Sequence, residues 1–598
     1  MEKYNSRKDV PEKYKWDLSD FFKDDKDYEE KFGVATKLIK ELANYKNCTK
    51  DANKLYKYLE KEMNAFALWQ NLYVYAYLLN DQELGIAENI ERKNKAIKLL
   101  TDLEKNTSFF SDELLELSLK EYNDLFIKNK KLYEYKAALD QIYKDKGHIL
   151  SPETENIITD LINATNHFED ISSTMLNSEH NYGTIRFDDG KVEQIQKNNY
   201  RLFLKNENER IRKEAFISFN DKIDEYSKTS AALLNSYVSM KNTNAKIHNF
   251  DSSWQQNLHK LDLSDKVFTT LVDAAYDNLD SLHRYYKLKK KALNLDVLNS
   301  YDLNLNMVKN DKEYTIEEAQ ELIRKSLSPL GEEYLSKFDK IINNKYIDYC
   351  QYQGKCSGGY SFSTRLNDSR ILMSYNYDLI SVSTIAHEAG HNINHQYIKE
   401  NNKIQYNATY PIVAEVASLT NECLLSSYLA DNGTTKDEKL AGLENIMEVF
   451  ISNFYGAVRE GKIETDMYDK SLNGGTITKD YLDRLTLDSL SKYYGSEIKY
   501  DEKSKNSWVS RSHYYMNFYL YSYAICVSVA TNVASKILDG DKEFLDKYIE
   551  FLKIGSDKNP KEAFEVLGIN LEDKEVYETA IKYFDSLINK YNQILDKE

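Results

Sequence analysis

The residues with the clearest chemical pattern are His387, Glu388 and His391, in the run His-Glu-Ala-Gly-His. Positions i and i+4 of an α-helix share a face, so the two imidazoles can converge on one metal ion. Glu388 points slightly aside, where it can take a proton from a metal-activated water without being a ligand. With 10 histidines in 598 residues, chance produces this pattern on the order of 0.01 times per chain. The pattern therefore indicates a catalytic site with one Zn²⁺ per chain, against the alternative of two ordinary histidines one turn apart.

Glu415 is the predicted third ligand, because a catalytic zinc ion needs three protein ligands and one open position. It lies far enough beyond His391 for the chain to turn and begin a second helix, whose first turn suits Pro411. A glutamate within the apolar run 412–417 is costly to bury unless it binds something. Taken alone, it could equally be an exposed acid. Glu422 shares its helical face and is expected to orient a ligand histidine, or else to be a solvated charge.

His395 is a rival ligand, one turn beyond His391 on the same face. Three histidines in a row on one helix cannot all reach one ion at tetrahedral angles. Glu415 is therefore preferred, and we expect His395 to pack or form hydrogen bonds nearby.

Composition predicts a mostly α-helical protein of at least two domains. The chain is longer than one core usually supports, and its 5 prolines and 20 glycines leave few interruptions for helices. Helical periodicity from about residue 20 is broken by a possible hairpin at 183–190, so we predict domains at 1–200 and 201–598. Strand-like runs at 346–350 and 371–375 predict a small sheet before the His387 helix. Ser151 and Pro152 read as a helix start.

Charge and cysteine content exclude several classes of protein. The net charge of −16 makes nucleic acid an unsuitable partner. The five cysteines are scattered without a CxxC pair, which argues against a disulfide framework. Residues 1–20 lack an apolar signal region, and the apolar stretch 518–534 is too polar and short to span a bilayer. These features predict a cytoplasmic protein without a membrane partner, and they indicate no particular oligomeric state.

Several segments together resemble the oligoendopeptidase F branch of the thimet-oligopeptidase-like metallopeptidases. His387 to His391 resembles that family's HE-x-GH, and Glu415 to Ser418 followed by Glu422 resembles its E-x-x-S-x-x-x-E. The segment 354–360 is similar to the one that leads into the family's active-site strand, and 11–18 is similar to the family's usual start. The likeness runs nearly end to end.

The resemblance also singles out a tyrosine-rich stretch near the C-terminus. The family carries a histidine and tyrosines there that help to bind the substrate and the tetrahedral transition state. His513 matches the histidine, and Tyr514 and Tyr521 are the tyrosines chosen. Judged from the residues alone, the stretch could also be an aromatic core helix. Cys526 departs from the small glycine that the family often has, which affects local packing rather than the metal site.

The resemblance implies a two-lobed helical zincin with a deep central channel and a small β-sheet beside the active site. It also implies an N-terminal region of oligopeptidase F type, with its core at about 110–185. The implied activity is zinc-dependent endopeptidase cleavage of internal bonds in short unfolded oligopeptides, with Glu388 as general base. The alternatives are a helical HExxH carboxypeptidase and a peptide-binding protein without catalysis.

Overall fold

The computed structural model describes residues 4–597, and most of them are helical as predicted. In chain order the α-helices are α1 Asp25–Leu42, α2 Ala52–Gln82, α3 Ala87–Thr107, α4 Phe109–Glu116, α5 Leu119–Lys128, α6 Lys136–Tyr143, α7 Pro152–Thr165, α8 Phe168–Thr174, α9 Tyr200–Leu204, α10 Glu209–Asp224, α11 Ser227–Ile247, α12 Ser253–Leu261, α13 Asp265–Asp277, α14 Leu279–Ala292, α15 Ile316–Ser326, α16 Gly331–Asn343, α17 Leu379–Asn401, α18 Pro411–Asn432, α19 Lys436–Phe450, α20 Ala457–Leu472, α21 Lys479–Tyr494, α22 Leu520–Leu538, α23 Lys542–Leu552, α24 Pro560–Val566 and α25 Lys574–Leu595.

Helix boundaries follow the capping chemistry of the sequence. The Ser151 side chain accepts a hydrogen bond from the backbone N–H of Thr154, and α7 begins at the following proline. Pro411 likewise begins α18. Both predicted helix starts are confirmed. Asp378 caps α17 by accepting from the backbone N–H of Ser381 at 2.8 Å, which fixes where the helix with the His-Glu motif begins.

The strands form three small sheets. They are β1 Thr184–Arg186, β2 Val192–Gln194, β3 Leu298–Asn299, β4 Ile347–Cys350, β5 Tyr360–Phe362, β6 Arg370–Tyr375 and β7 Ile498–Lys499. The first two form the predicted hairpin, and β3 pairs with β7 in parallel. The third sheet has the order β4-β6-β5, with β4 parallel and β5 antiparallel to the central strand. The sheet predicted before the His387 helix is therefore present, with β5 as an additional strand.

The chain divides into two compact units, each built from three segments. Unit 1 contains residues 4–146, 311–425 and 533–569, and unit 2 contains residues 147–310, 426–532 and 570–597. Neither unit ends at residue 200. The division into domains at 1–200 and 201–598 stays a prediction. All residues of the metal motif belong to unit 1, whereas His513, Tyr514 and Tyr521 belong to unit 2.

A buried lysine holds the three-stranded sheet of unit 1 together. The Lys355 ammonium donates to the backbone carbonyls of Cys350 in β4 and Met373 in β6, each at 2.8 Å. It also pairs with Asp348 at 2.6 Å, and that carboxylate accepts a second charge-assisted bond from Arg7 at 2.7 Å. A buried charge is tolerated only when it is paired and hydrogen-bonded. This network therefore ties β4 to β6, the strand that comes directly before α17 in the chain.

The same unit buries a large aromatic and aliphatic core between α1, α2 and α3. Its members include Trp16, Tyr28, Leu55, Leu72 and Leu372. In unit 2, Phe450 and Phe584 stack with ring centroids 4.8 Å apart. Among residues 4–597, no helix combines the length and apolar character needed to cross a bilayer. All five cysteines lie in this described range, and no disulfide joins them.

Candidate metal centre and active site

The two histidines of the motif meet on one face of α17, as predicted from their spacing. The Nε2 atoms of His387 and His391 are 3.2 Å apart. The helix is buried along most of its length, with Ile385, Ala389 and Ile393 fully inaccessible. One side of the helix is buried. The i, i+4 spacing places both imidazoles on the other side, where they are directed at the same point.

Glu415 in α18 completes a triangle of potential ligand atoms. Its Oε2 lies 3.5 Å from Nε2 of His387 and 3.6 Å from Nε2 of His391. Ser418 fixes this carboxylate by donating from Oγ to Oε2 at 2.8 Å. Ligands about 2.0–2.1 Å from a tetrahedral zinc ion lie about 3.3 Å from one another. The donor set of two imidazoles and one carboxylate thus fits a catalytic zinc ion in both chemistry and spacing.

Helices α17 and α18 pack unusually closely at the metal motif. A Cβ placed on Gly390 would lie 2.6 Å from Cα of Ser418 and 2.7 Å from the carbonyl oxygen of Ala417. One turn away, the Asn421 side chain donates to the backbone carbonyl of Ala386 at 3.0 Å. The glycine between the two histidines is therefore what allows Glu415 to approach them.

We expect Gly390→Ala to lower both stability and zinc affinity. Alanine in a helix is normally favourable by about 0.5–1 kcal/mol over glycine, but here its methyl group meets the backbone of α18. Overpacking of this kind costs typically about 1–3 kcal/mol. Gly33→Ala is the matched control, since Gly33 lies in α1 with open space around it. Thermal midpoints and zinc titrations of both variants check this, and equal behaviour of the two would contradict it.

Glu422 orients the first histidine, as the sequence suggested. Its Oε1 lies 2.7 Å from Nδ1 of His387, and its Oε2 accepts from Oγ of Ser383 at 3.0 Å. Burial by itself would lower the pKa of His387, but the hydrogen bond and charge of Glu422, with the nearby Glu415 and Glu388, raise it to about 9. With its Nδ1 proton donated to Glu422, the ring presents Nε2 as the metal-binding atom.

Replacing Glu422 with Gln is expected to weaken zinc binding by about 10–100-fold, because outer partners of ligand histidines have effects of this size. The amide keeps the shape of the side chain but removes the charge that holds the imidazole. Competition with a zinc chelator measures the change in affinity. Zinc affinity equal to that of the wild type would show that His387 is positioned by packing alone.

Glu388 lies beside the ligands without belonging to the triangle. Its side chain is 7% exposed, and burial, opposed by His387, raises its pKa to about 7. The backbone of Ser361 in β5 lies near this carboxylate and acts against the increase in its pKa. A carboxylate whose pKa lies near neutrality can both accept and return a proton.

His395 does not join the ligand set of the described residues, which consists of His387, His391 and Glu415. It is buried, and burial lowers its pKa to about 4, so it is a neutral side chain of the core.

The tyrosine-rich stretch lies in unit 2, and the hydroxyls of its two predicted tyrosines have hydrogen-bond partners there. The Tyr514 hydroxyl is inaccessible and donates to Glu460, while the Tyr521 hydroxyl donates to Oδ1 of Asn257 at 3.1 Å. His513 is half-buried, and burial together with the charge of Arg511 lowers its pKa. Tyr523, also half-buried, has its ring centroid 6.2 Å from that of His513. Of these tyrosines, Tyr523 is the one whose exposure resembles that of the histidine.

The turn after His513 has a strained backbone. Asn517 and Phe518 both have positive φ, 51° and 65°, which is rare for a bulky residue. The backbone N–H of Phe518 donates to Oε1 of Glu464 at 2.7 Å, and this carboxyl is fully buried. Burial raises the pKa of Glu464 to about 8, so the side chain is largely protonated at neutral pH.

We expect Glu464→Gln to be more stable than the wild type at pH 8 but not at pH 4. The raised pKa means that the folded chain binds a proton that the unfolded chain releases above pH about 4.5. Stability therefore falls as the pH rises from about 4.5 to 8, by roughly 2 kcal/mol or more for this group. Glutamine has no such proton, so the variant lacks this contribution to the pH dependence of stability. Denaturation midpoints across this pH range test the prediction, with the exposed Glu575→Gln as a control that keeps the wild-type profile. An unchanged profile in Glu464→Gln would contradict it.

The chain is similar to one protein family and to several known proteins. Residues 202–583 match the model of peptidase family M3, and residues 113–182 match the model described as oligopeptidase F. Because the first match covers more than half of the chain, the protein belongs to peptidase family M3. It is a metalloendopeptidase that acts on oligopeptides.

Within that family the likeness is to oligoendopeptidase F. The chain is 29% identical to oligopeptidase PepF of Bacillus subtilis over 593 residues, covering 99% of this chain and 88% of that protein. It is 28% identical to the plasmid-encoded oligoendopeptidase F of Lactococcus lactis subsp. cremoris, covering 99% of each. The crystal structure of oligoendopeptidase-F from Enterococcus faecium superposes with a TM-score of 0.73 at 25% identity, over 96% of this chain and 100% of that chain. The resemblance read from the motifs is confirmed.

Proposed function

We propose that the protein is a zinc-dependent endopeptidase that hydrolyses internal bonds of short, unfolded oligopeptides. The observation that carries the proposal is the triangle of His387, His391 and Glu415, with Glu388 alongside and Glu422 behind the first histidine. Peptide cleavage by a metal-activated water needs three ligands, one base and one open position. The described residues supply the ligands and the base.

The metal would be held by His387, His391 and Glu415, one ion per chain. When bound, zinc supplies a Lewis acid that polarises the scissile carbonyl and lowers the pKa of the attacking water. Glu388 accepts the proton of that water and then delivers it to the nitrogen of the leaving amine.

The peptide backbone is proposed to bind along β5. That strand is the edge of its sheet, paired only with β6 among the described strands. An extended peptide added to a sheet edge is held through its main chain, so side chains of many kinds are accepted. Ser361 lies in this strand and its backbone contacts Glu388, which supports the same location for the scissile bond.

His513 and a nearby tyrosine are proposed to donate hydrogen bonds to the oxyanion of the transition state. Tyr514 and Tyr521 were the tyrosines chosen from the resemblance. Since the side chains of both are buried, whereas Tyr523 is half-buried and has its ring centroid 6.2 Å from that of His513, we move this proposal to Tyr523. Substituting Phe at each of the three positions distinguishes them, because loss of an oxyanion donor lowers kcat by about 10²–10³-fold.

An internally quenched fluorescent peptide, assayed with and without zinc, tests the proposed function. Mass spectrometry of the products separates internal cleavage from the C-terminal trimming of a carboxypeptidase. A peptide-binding protein would bind the substrate without producing fluorescence. Rapid digestion of a folded protein such as native serum albumin would overturn the restriction to oligopeptides.

We also propose that the enzyme acts in the cytoplasm, without a nucleic-acid partner, which the acidic composition and the lack of disulfides support.

A further inference from the structure

Unit 2 contains a cavity of about 400 Å³ beside His513. One wall is the π-helical turn Ile451–Gly456 that leads into α20. Turns of this kind are rare and occur often at functional sites. Arg511, His513, Leu520 and Tyr523 also line the cavity. The strained turn at Phe518 lies between them in sequence.

The side chains that line the cavity carry more positive than negative charge. Glu460 is 5% exposed and accepts hydrogen bonds from Arg459, from Tyr514 and, at 3.4 Å, from Nη2 of Arg511. Two guanidinium groups therefore share one carboxylate, which leaves one positive charge uncompensated. Arg511 is the more accessible cation, with 38% of its side chain exposed against 13% for Arg459.

The excess of positive charge comes from Arg459 and Arg511, since Glu460 is the one acidic side chain among the residues that line the cavity. A concentration of positive charge is unusual in a chain with a net charge of −16. Such a local field attracts an anionic group to a concave site with low-dielectric walls.

The size and walls of the cavity indicate an organic anion rather than a small inorganic one. Tyr286, Tyr494 and Tyr523 line it together with Leu282 and Leu520. A volume of this size belongs to the range of pockets that hold small organic ligands, which combine apolar walls with a few polar groups. The planar guanidinium of Arg511 offers paired N–H donors that match a carboxylate.

We propose that this cavity, the Arg511 pocket, binds a carboxylate group of the peptide substrate, with Arg511 as the principal donor and Arg459 as its support. The inference rests on the proposed peptide-cleaving function. A peptide offers this chemistry from two sources, its C-terminal carboxylate and the side chain of an Asp or Glu residue.

The test measures binding of four labelled peptides to full-length, zinc-loaded Glu388→Gln protein. The peptides share one sequence and differ in a free or amidated C-terminus and in Asp or Asn at one internal position. We expect a carboxylate peptide to bind at least about tenfold more tightly than its neutral partner, since hydrogen bonds to charged groups have this effect. The pair that shows the difference identifies the source of the carboxylate.

Arg511→Gln in the same background is expected to remove most of that difference while leaving the affinity of the neutral peptides unchanged. Arg511→Lys keeps the positive charge but lacks the paired N–H donors of the guanidinium, so the difference in affinity between charged and neutral peptides should be intermediate. Arg484→Gln is the control, because Arg484 is exposed in unit 2 and does not line the cavity. Equal affinity for all four peptides, or equal losses in the Arg511→Gln and Arg484→Gln variants, would overturn the proposal.

Steady-state kinetics of the protein with Glu388 intact separate this inference from the proposed function. If peptides are cleaved but Arg511→Gln raises KM equally for acidic and neutral substrates, the pocket assignment fails and the peptidase stands. If no peptide is cleaved in the presence of zinc, the proposed function fails whatever the binding data show.

Discussion

Glu388→Gln should retain one zinc ion per chain and lose kcat by about a thousandfold or more. General acid–base groups contribute about 10²–10⁴-fold to the rate, and here Glu388 acts first as the base and then as the acid. The substitution is nearly isosteric, and the ligand triangle does not include Glu388. The loss should therefore appear in kcat, with KM little changed, because the peptide and the metal still bind.

Zinc content by elemental analysis and turnover of a quenched peptide are measured on the same preparation. Glu575→Gln is the control, because Glu575 is exposed in α25 and lies outside the ligand set. It should retain full activity, since exposed substitutions of this kind change stability by no more than about 0.5 kcal/mol. Full turnover by Glu388→Gln would remove this residue from the mechanism, whereas loss of zinc would show that it is needed for the metal.

Glu415→Ala should lose both zinc and activity. Removing a direct ligand is more severe than removing an outer partner, which costs about 10–100-fold, so we expect affinity to fall by more than 100-fold. The two remaining imidazoles cannot complete the site, and Ser418 loses the carboxylate that it holds. Zinc at 100 times its dissociation constant stabilises a folded protein by about 2.7 kcal/mol, and this stabilisation should disappear in the variant.

Thermal midpoints with and without added zinc measure that loss directly. Chelation of the wild type should abolish cleavage, and added zinc should restore it, which separates metal loss from unfolding. Glu575→Ala serves as the control and should respond to zinc as the wild type does, because Glu575 is exposed. A Glu415→Ala protein that binds zinc and cleaves peptides normally would exclude Glu415 as a ligand.

Helical content and the local metal motif were predictable because both depend on near neighbours. An i, i+4 histidine pair meets wherever the segment is helical, and α17 is helical from Leu379 to Asn401. Capping by Ser151 and the start of α18 at Pro411 follow from chemistry within a few residues. The resemblance to oligoendopeptidase F extended this reading to residues whose spacing alone carried no signal.

Contacts between residues that are distant in sequence were harder to predict from the sequence. Periodicity did not predict strand β5, because its three residues are too few for a pattern to be visible, and only the resemblance implied a strand after residues 354–360. Tyr514 and Tyr521 were chosen from the resemblance, but both are buried, whereas Tyr523 beside His513 is half-buried. Which side chain is accessible depends on packing that no local pattern records.

The sequence by itself determined the type of chemistry: two imidazoles and a base on one helix turn, and a helical chain of peptidase type. Tertiary structure decided whether these groups form a site. Gly390 allows α18 to approach closely enough for Glu415 to complete the triangle, and the cations beside His513 gather from separate segments of unit 2. The physical reason is range: helix geometry places residues one turn apart, whereas ligand triangles and charged pockets require close packing between elements far apart in the chain.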